Sequence, residues 1–253
     1  MIPVVKDLRR LRPLFMADWR DALFVHFRIP PDVLKQCVPL ELDLFEGHAY
    51  VSLVSFTQVR LRPIFGGRVA EWLSRPLATH EFLNVRTYVR HGDERGIFFL
   101  AEWIPNRLAV FLGPRLYGLP YRFGELNHSI DSESRMTREV NCGGKQLRCR
   151  ATLDDPNSFQ TCAAGSEAEF LLERSTAFTS RDRVLRRFRI RHECWLQAPV
   201  SVAVERQDLL GDFLLGVPCA AHFSAGVNDV YIGRPERVVV AESGSSPAAP
   251  IPA

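Results

Sequence analysis

The sequence predicts a mainly β fold with a few short helices, arranged as an antiparallel barrel or a pair of packed sheets. Strand-like runs dominate the chain, tight polar turns join them, and helical signals are few and short. In the run "LELDLFEGHAYVSLVSFTQVRL", two β-rich segments flank Glu46-Gly47, which is a hairpin signal. The run "FLNVRTYVRHGDERGIFFLAEW" repeats this plan around the polar turn "HGDERG". Successive hairpins favour antiparallel pairing.

The remaining elements follow the same logic in chain order. "PPDVLKQCVP" predicts a short helix between prolines, and "NRLAVFLGPRLYG" predicts one that begins at the cap residue Asn106. "LNHSIDSESRMTREVNCGGKQLRCRATL" predicts weaker strands around residues 141 to 144. In "SEAEFLLERSTAF", Ser166 and Glu169 have the spacing of a capping box, which predicts a third helix. "RVLRRFRIRHECWLQ" alternates Arg with apolar residues, as expected of a strand with one wet face.

Composition restricts the class of protein. Of 253 residues 46% are hydrophobic and the formal charge is +3, so a sizeable core is expected and neither a nucleic-acid nor a membrane partner is favoured. The six cysteines form no C-x-x-C pair, so free thiols in the cytoplasm are predicted, with no metal or cofactor. The N-terminus lacks a signal-peptide pattern. Residues 1 to 240 are interpreted as one domain, and residues 241 to 253 as a disordered tail.

One predicted strand, "HEFLNVRTYV", has an unusual face. Side chains alternate along a strand, so Asn84, Arg86 and Tyr88 share a face opposite apolar residues. These side chains could simply be solvated. The next strand, "IFFLAEW", is apolar on both faces, which favours a central position instead. Burial of a guanidinium costs several kcal/mol, so an interior Arg86 needs an anionic partner or a wet cavity.

Several stretches together resemble the YqjF-like family of uncharacterised bacterial proteins. They are "DWRDALFVHFRIPPDVLKQCVPLELDLFEGHAYVSLVSF", "EFLNVRTYV", "GIFFLAEW", "RLYGLPYRFGEL", "FLLERSTAFTS" and "IRHECWLQ", which span roughly residues 18 to 198 in the family's order. The family has no assigned reaction. Its fold is similar to that of acetoacetate decarboxylase, so the resemblance implies a mainly antiparallel β-barrel or double sheet that encloses a pocket.

The resemblance also gives a test of chemistry. Acetoacetate decarboxylases form a Schiff base on a lysine whose pKa is lowered by an adjacent lysine. The corresponding stretch here is "GLPYR", which places Tyr121 and Arg122 where the lysines are expected. A phenol forms no imine and a guanidinium stays protonated. The other lysines, Lys6, Lys35 and Lys145, are interpreted as surface residues, so Schiff-base decarboxylation is not expected.

In such a fold, "EFLNVRTYV" is implied to be a pocket strand, with Asn84, Arg86 and Tyr88 pointing inward. Together with Tyr121 and Arg122, these residues suit a small carboxylate or a polarised carbonyl. A structural salt bridge of Arg86 with Glu81 or Glu102 stays open. So does a purely structural role for Tyr121 at the entry to a strand.

The stretch "RHECW" supplies further candidates. His192 is a candidate acid or base, and Trp195 a candidate ligand contact. A histidine that is only hydrogen-bonded in the barrel wall is the alternative, and it applies also to His26. A metal site of His192, Cys194 and a distant His222 has no anchoring short ligand spacing.

Two main functional hypotheses result. The first is a cytoplasmic barrel protein that binds a small organic acid or carbonyl compound and catalyses a lysine-independent hydration, dehydration or tautomerisation, with Tyr121 or His192 as acid or base. The second is a non-catalytic protein that binds or senses such a metabolite. A third, binding of a polyanion by "RDRVLRRFRIR", is less favoured because the charge is near neutral. A homo-oligomer stays open.

Overall fold

The computed structural model describes residues 12 to 214 and 216 to 239, with no account of the side chains of residues 212 to 214. Lys6 and the predicted tail, residues 241 to 253, lie outside the described residues. No helix within the described ranges is long and apolar enough to cross a membrane.

In the described part of the chain, fifteen strands make up two sheets. The larger sheet contains β1 (Pro13–Ile29), β2 (Glu41–Leu42), β3 (Ala49–Pro63), β4 (His80–His91), β5 (Glu94–Ile104), β6 (Tyr121–Phe123), β10 (Thr176–Arg181), β11 (Val184–Arg191), β12 (Ala198–Pro199), β14 (Ala220–Gly233) and β15 (Glu236–Arg237). The smaller sheet contains β7 (Glu125–Ile130), β8 (Arg135–Cys142), β9 (Lys145–Thr152) and β13 (Ser201–Gln207).

The larger sheet curls back on itself. Its order is β12-β14-β1-β3-β4-β5-β10-β11-β15, with β2 added to β4 and β6 added to β5. Strand β11 pairs also with β14, through Ile190 with Ile232 and Arg191 with Tyr231. Pairing is antiparallel except between β5 and β10 and between β5 and β6. The predicted mainly β double sheet is therefore confirmed, and β4 is central in it.

Within residues 12 to 239, as far as the structure describes them, four α-helices connect the strands: α1 (Pro31–Lys35), α2 (Gly67–Ser74), α3 (Arg107–Tyr117) and α4 (Glu167–Leu172). Short 3₁₀ segments follow at residues 75 to 77 and 208 to 214. The predicted caps form, since Asn106 accepts from the Ala109 amide and Ser166 from the Glu169 amide. Helix α2 is not among the predicted helices, because it begins after the left-handed Gly66 and has no side-chain cap.

The predicted hairpins form with one exception. Strands β4 and β5 pair antiparallel, and so do β8 and β9 around the positive-φ residues Gly143 and Gly144. At the first predicted hairpin, Glu46 and Gly47 do make the turn, with positive φ at both. However, β2 pairs with β4 and not with β3. Strand β2 thus continues the pairing along β4 beyond the residues of β4 that pair with β3.

Both faces of β4 are buried. Leu83, Val85 and Val89 pack against the core that includes Met136 and Leu147 of the smaller sheet. The opposite side of the strand faces a second cluster, rich in aromatic rings, inside the curled sheet. The predicted alternation is therefore real, but neither face is the solvated one.

Two arginines of the arginine-rich strand β11 form ion pairs and are not merely solvated. Arg187 and Arg189 both form ion pairs with Glu94 at the start of β5, at 2.5 and 3.4 Å. Arg187 also pairs with Glu236 of β15. These two charges have acidic partners within the chain and are therefore not free to bind a polyanion.

Candidate functional site

A cavity of about 180 Å³ lies inside the curled sheet, between the strands and helix α3. Most of its wall is apolar and aromatic. The polar side chains that reach it come from β3, β4, β5, β6, from the end of α4 and from the end of β11: Gln58, His80, Asn84, Arg86, Glu102, Tyr121, Arg174 and His192. The wall thus combines a large apolar surface with a few convergent polar groups, which is typical of small-molecule sites.

Arg86 is a buried cation in the wall of this cavity. The residue is only 9% exposed, and its Nη2 donates a hydrogen bond to the backbone oxygen of Leu171 at 3.2 Å. Its guanidinium also lies 5.7 Å from the ring of Phe24. Among the described residues, neither Glu81 nor Glu102 nor any other carboxylate forms an ion pair with it, and its Nε has no hydrogen-bond partner. The expected alternative of a structural salt bridge is therefore wrong.

A second arginine in the wall provides a comparison. Arg174 Nη1 lies 3.0 Å from Asp43 Oδ2, and both side chains are almost fully buried. Its guanidinium also lies 4.2 Å from the ring of Phe170. Among the described residues, the fold thus provides a carboxylate for Arg174 and none for Arg86.

Tyr88 takes part in a hydrogen-bond chain and does not line the cavity. Its hydroxyl donates to the Leu171 oxygen at 2.8 Å, because a carbonyl can only accept. Ser52 Oγ, 2.6 Å away, must then donate to Tyr88 and accept from His26 Nδ1 at 2.7 Å. Burial, together with the charges of His222 and Arg86, lowers the pKa of His26 well below its usual value. The neutral His26 therefore helps fix the strand that bears Arg86. Tyr88 donates to the same Leu171 oxygen as Arg86, so it helps to position the Arg86 side chain without contacting the cavity.

Glu102 is the buried acid of the cavity. It lies opposite Asn84 in the register of β4 and β5, and only 3% of it is exposed. Its Oε2 and the Asn84 Oδ1 have no hydrogen-bond partner among the described residues. Burial raises the pKa of Glu102 well above its usual value, which favours the protonated, neutral acid. A neutral carboxylic acid can donate a hydrogen bond into the cavity.

Tyr121 lies beside Glu102, its partner in the parallel pairing of β5 and β6. Burial, and secondarily the charge of Glu102, raise the pKa of this phenol well above its usual value. Tyr121 therefore remains a hydrogen-bond donor. Its ring is fixed from two sides, by Phe82 at 6.0 Å and by Gly113 of α3.

The neighbouring arginine of the "GLPYR" stretch points elsewhere. The Arg122 guanidinium lies 5.3 Å from the ring of Trp103, which belongs to the core on the other side of the sheet. Adjacent strand residues face opposite sides, so Tyr121 and Arg122 cannot both line the cavity. The expectation that Arg122 lines the pocket is therefore wrong.

Gly113 leaves space that Tyr121 occupies, because a Cβ at this position would lie 2.3 Å from Tyr121 Cε2. We expect Gly113→Ala to destabilise the protein by about 1 to 3 kcal/mol through overpacking, although Ala is the better helix former. Denaturant unfolding measures this change. In a Tyr121→Ala background the same substitution should become stabilising, by up to about 1 kcal/mol. A loss of stability that persists in that background would contradict the assigned contact.

His192 and Trp195 complete the wall where β11 ends. His192 Nδ1 lies 2.6 Å from the Glu193 backbone oxygen, so Nδ1 carries the proton and Nε2 is the basic nitrogen. Burial lowers the pKa of His192, which keeps the ring neutral. The imidazole packs on Trp195 at 5.1 Å and on Trp19 at 5.7 Å. A neutral imidazole with one free nitrogen can act as a base.

No group of three potential metal ligands exists among the described residues, and the His222 ring packs edge-on against His26 at 5.3 Å. All six cysteines are free thiols. Lys35 and Lys145 are exposed and do not line the cavity.

Sequence reasoning missed four polar residues of the wall, one of which is Arg174. Glu102 entered only as a partner for Arg86, whereas Gln58 and His80 were not considered. The signal available for Glu102 was an acid inside the apolar run "IFFLAEW". Burial lowers the pKa of His80 to about 4, so this ring too is neutral.

Comparisons with known proteins identify the family of this chain. The family DUF2071, described as an uncharacterized conserved protein, matches residues 16 to 228. The uncharacterized protein YqjF of Bacillus subtilis (strain 168) is 28% identical over 192 residues, which are 73% of this chain and 76% of that protein.

Solved structures with the same fold are enzymes. Acetoacetate decarboxylase from Legionella pneumophila has a TM-score of 0.64 at 13% identity, over 89% of this chain and 87% of that one. The enduracididine biosynthesis enzyme MppR, complexed with pyruvate, has a TM-score of 0.64 at 12% identity, over 89% and 90%. These likenesses show an acetoacetate decarboxylase-like fold. By the match over most of its length, the chain belongs to the DUF2071 family.

Proposed function

We propose that the cavity binds a small organic acid or carbonyl compound, and that Arg86 holds its charged or polarised oxygen. The observation that carries the proposal is a buried guanidinium in the cavity wall with no carboxylate partner among the described residues. Leaving such a charge uncompensated costs several kcal/mol. The carbonyl of Leu171, at the end of α4, offsets only part of that cost, because a helix terminus carries at most about half a charge. A bound carboxylate would supply the rest.

The cavity limits the size of the ligand. An apolar cavity of about 150 Å³ holds a benzene molecule. The 180 Å³ available here is slightly larger, and rings such as Phe24, Phe56, Phe82 and Trp195 line it. The favoured ligand is therefore a carboxylate or carbonyl compound with an apolar part of about this size. The neighbour MppR is complexed with pyruvate, a small keto acid, which supports the same chemical class.

The polar groups fit proton transfer better than imine chemistry. No described residue of the wall is a lysine. Glu102 and Tyr121 are protonated donors for a developing oxyanion, and Nε2 of the neutral His192 can accept a proton. These roles suit a hydration, dehydration or tautomerisation. Since all six thiols are free, a reducing compartment such as the cytoplasm is part of the proposal.

The experiment that tests binding is thermal unfolding of the protein against a panel of benzoate-sized carboxylates, keto acids and neutral carbonyl compounds. We expect carboxylates or keto acids to raise the midpoint in a concentration-dependent manner, because a ligand that binds only the folded state stabilises it. Matched alcohols and amines serve as controls. A panel in which amines stabilise as well as acids would overturn the role of Arg86.

Glu102→Gln separates the catalytic role from the binding role. Above about pH 4.5 the unfolded state ionises Glu102 while the folded state keeps it neutral, so this group costs stability as pH rises toward its folded pKa. Glutamine removes the cost, so we expect the variant to be more stable than the wild type, and its advantage to be larger at pH 7 than at pH 5. Denaturant unfolding at pH 5 and pH 7 measures it. For an enzyme, turnover should fall while binding persists. A variant less stable at pH 7 would contradict a neutral Glu102.

The alternative is a non-catalytic protein that binds or senses the same ligand. The observation that favours it is the predominantly apolar wall, which encloses a ligand well without contributing reactive groups. If a ligand identified by thermal unfolding is recovered unchanged after long incubation with the protein, the binding hypothesis gains. Consumption that is lost in Glu102→Gln favours the enzyme.

A further inference from the structure

An exposed apolar patch covers the outer side of helices α2 and α3. Helix α2 buries none of its residues. Phe65 and Val69 are 70% exposed, and Trp72 is 63% exposed. We define the α2–α3 patch by its six large apolar side chains: Phe65, Val69, Trp72, Leu73, Phe111 and Leu116. Large apolar side chains exposed together in this way are uncommon in a folded protein and favour an interaction site.

A hydrogen bond connects the start of α3 with the segment that follows α2. The Asn106 side chain, which caps α3, donates to the Pro76 oxygen that follows α2, at 2.6 Å. Leu116 of α3 is 53% exposed and also lines the cavity. The patch therefore extends to the rim of the cavity.

Arginines surround the patch, although the chain as a whole is almost neutral. Residues 64 to 77 and 106 to 117 contain four exposed arginines and a single acid, Glu71. None of the four forms an ion pair with a described carboxylate: Arg68, Arg75, Arg107 and Arg115. Arg107 and Arg115 lie flat against the rings of Phe123 and Phe111.

We propose that the α2–α3 patch docks onto an anionic lipid bilayer. Exposed Trp, Phe and Leu with flanking Arg is the composition of an interfacial helix, whose apolar face enters the headgroup region while cations meet anionic lipids. A second copy of the chain fits less well. A two-fold interface would gather the four arginines of each copy, eight in all, with only one glutamate per copy to offset them.

The test is co-sedimentation with phosphatidylcholine vesicles that contain or lack phosphatidylglycerol. We expect binding to the anionic vesicles only, weakened by added salt. Phe65→Ser with Trp72→Ser should lower the partition coefficient about a hundredfold, since each large side chain contributes about tenfold. Arg68→Gln with Arg75→Gln should lower it about twenty-fivefold, at about fivefold for each charge.

The matched control is Val33→Ser with Ile130→Ser, which removes two exposed apolar side chains elsewhere and should leave partitioning unchanged. The thermal midpoint of unfolding is measured for every variant, and only variants whose midpoint equals that of the wild type are compared. Absence of binding to anionic vesicles overturns the proposal, and so does equal loss in the control variant. A wild-type dimer that dissociates on Trp72→Ser would also overturn it, because a second copy would then cover the patch.

Discussion

Replacing Arg86 by Met is expected to weaken carboxylate binding about a hundredfold or more, and to leave the unliganded protein at least as stable as the wild type. The two effects have one cause. In the unliganded fold, the guanidinium is buried with one backbone hydrogen bond and no carboxylate partner among the described residues. Methionine fills similar space without a charge that has to be desolvated.

The loss of affinity follows from the chemistry of the pair. A guanidinium binds a carboxylate through two parallel hydrogen bonds, and its removal leaves the ligand's charge buried and unpaired. Isothermal titration measures the affinity, and denaturant unfolding measures the unliganded stability.

Arg122→Met is the matched control, because Arg122 lies against Trp103 outside the cavity. Its affinity for the same carboxylate should equal that of the wild type. If Arg86→Met instead loses several kcal/mol of unliganded stability and keeps its affinity, Arg86 is a structural residue.

The central strand could be predicted because its pattern is local. Alternation in "EFLNVRTYV" and the doubly apolar "IFFLAEW" together indicate a buried strand with polar residues on an inner face. The capped helices α3 and α4 were predictable for the same reason, since a cap and its acceptor are three residues apart. Helix α2 has no such signal.

The remaining features depend on residues distant in sequence. The support of Arg86 joins positions 26, 52, 88 and 171, and no spacing indicates that these meet. That Tyr121 lines the cavity and Arg122 does not depends on which way one short strand faces. The net charge of the chain does not indicate the local excess of arginine around the α2–α3 patch, because acids elsewhere in the chain balance it.

Stability is expected to fall steeply as pH drops below about 6.5, because the fold buries neutral histidines. Burial lowers the pKa of His80 to about 4, of His128 to about 3 and of His222 to about 4. It also lowers the pKa of His26 and of His192. Each of these five groups gains a proton on unfolding below pH 6.5, so each contributes stability that is lost on acidification.

Two acids act in the opposite direction. Burial raises the pKa of Glu102 and of Glu173, so these groups release protons on unfolding above about pH 4.5. The three histidines with a pKa near 4 or below, His80, His128 and His222, alone take up close to three protons on unfolding near pH 5.5, or about 4 kcal/mol per pH unit, and proton release by the two acids reduces this slope. A typical stability of about 5 to 15 kcal/mol would be exhausted within a few pH units.

His128→Asn tests this account away from the cavity, because His128 lies in the smaller sheet, where Arg138 also opposes its protonation. We expect the variant to lose about one proton of uptake, which reduces the slope of stability by about 1.4 kcal/mol per pH unit between pH 6 and pH 5. Denaturant unfolding at a series of pH values measures both slopes. Asn127→Ala, at an exposed neighbouring position that does not titrate, should keep the wild-type slope. An unchanged slope in His128→Asn would mean that the folded protein already carries a proton on His128, and that burial does not keep this ring neutral.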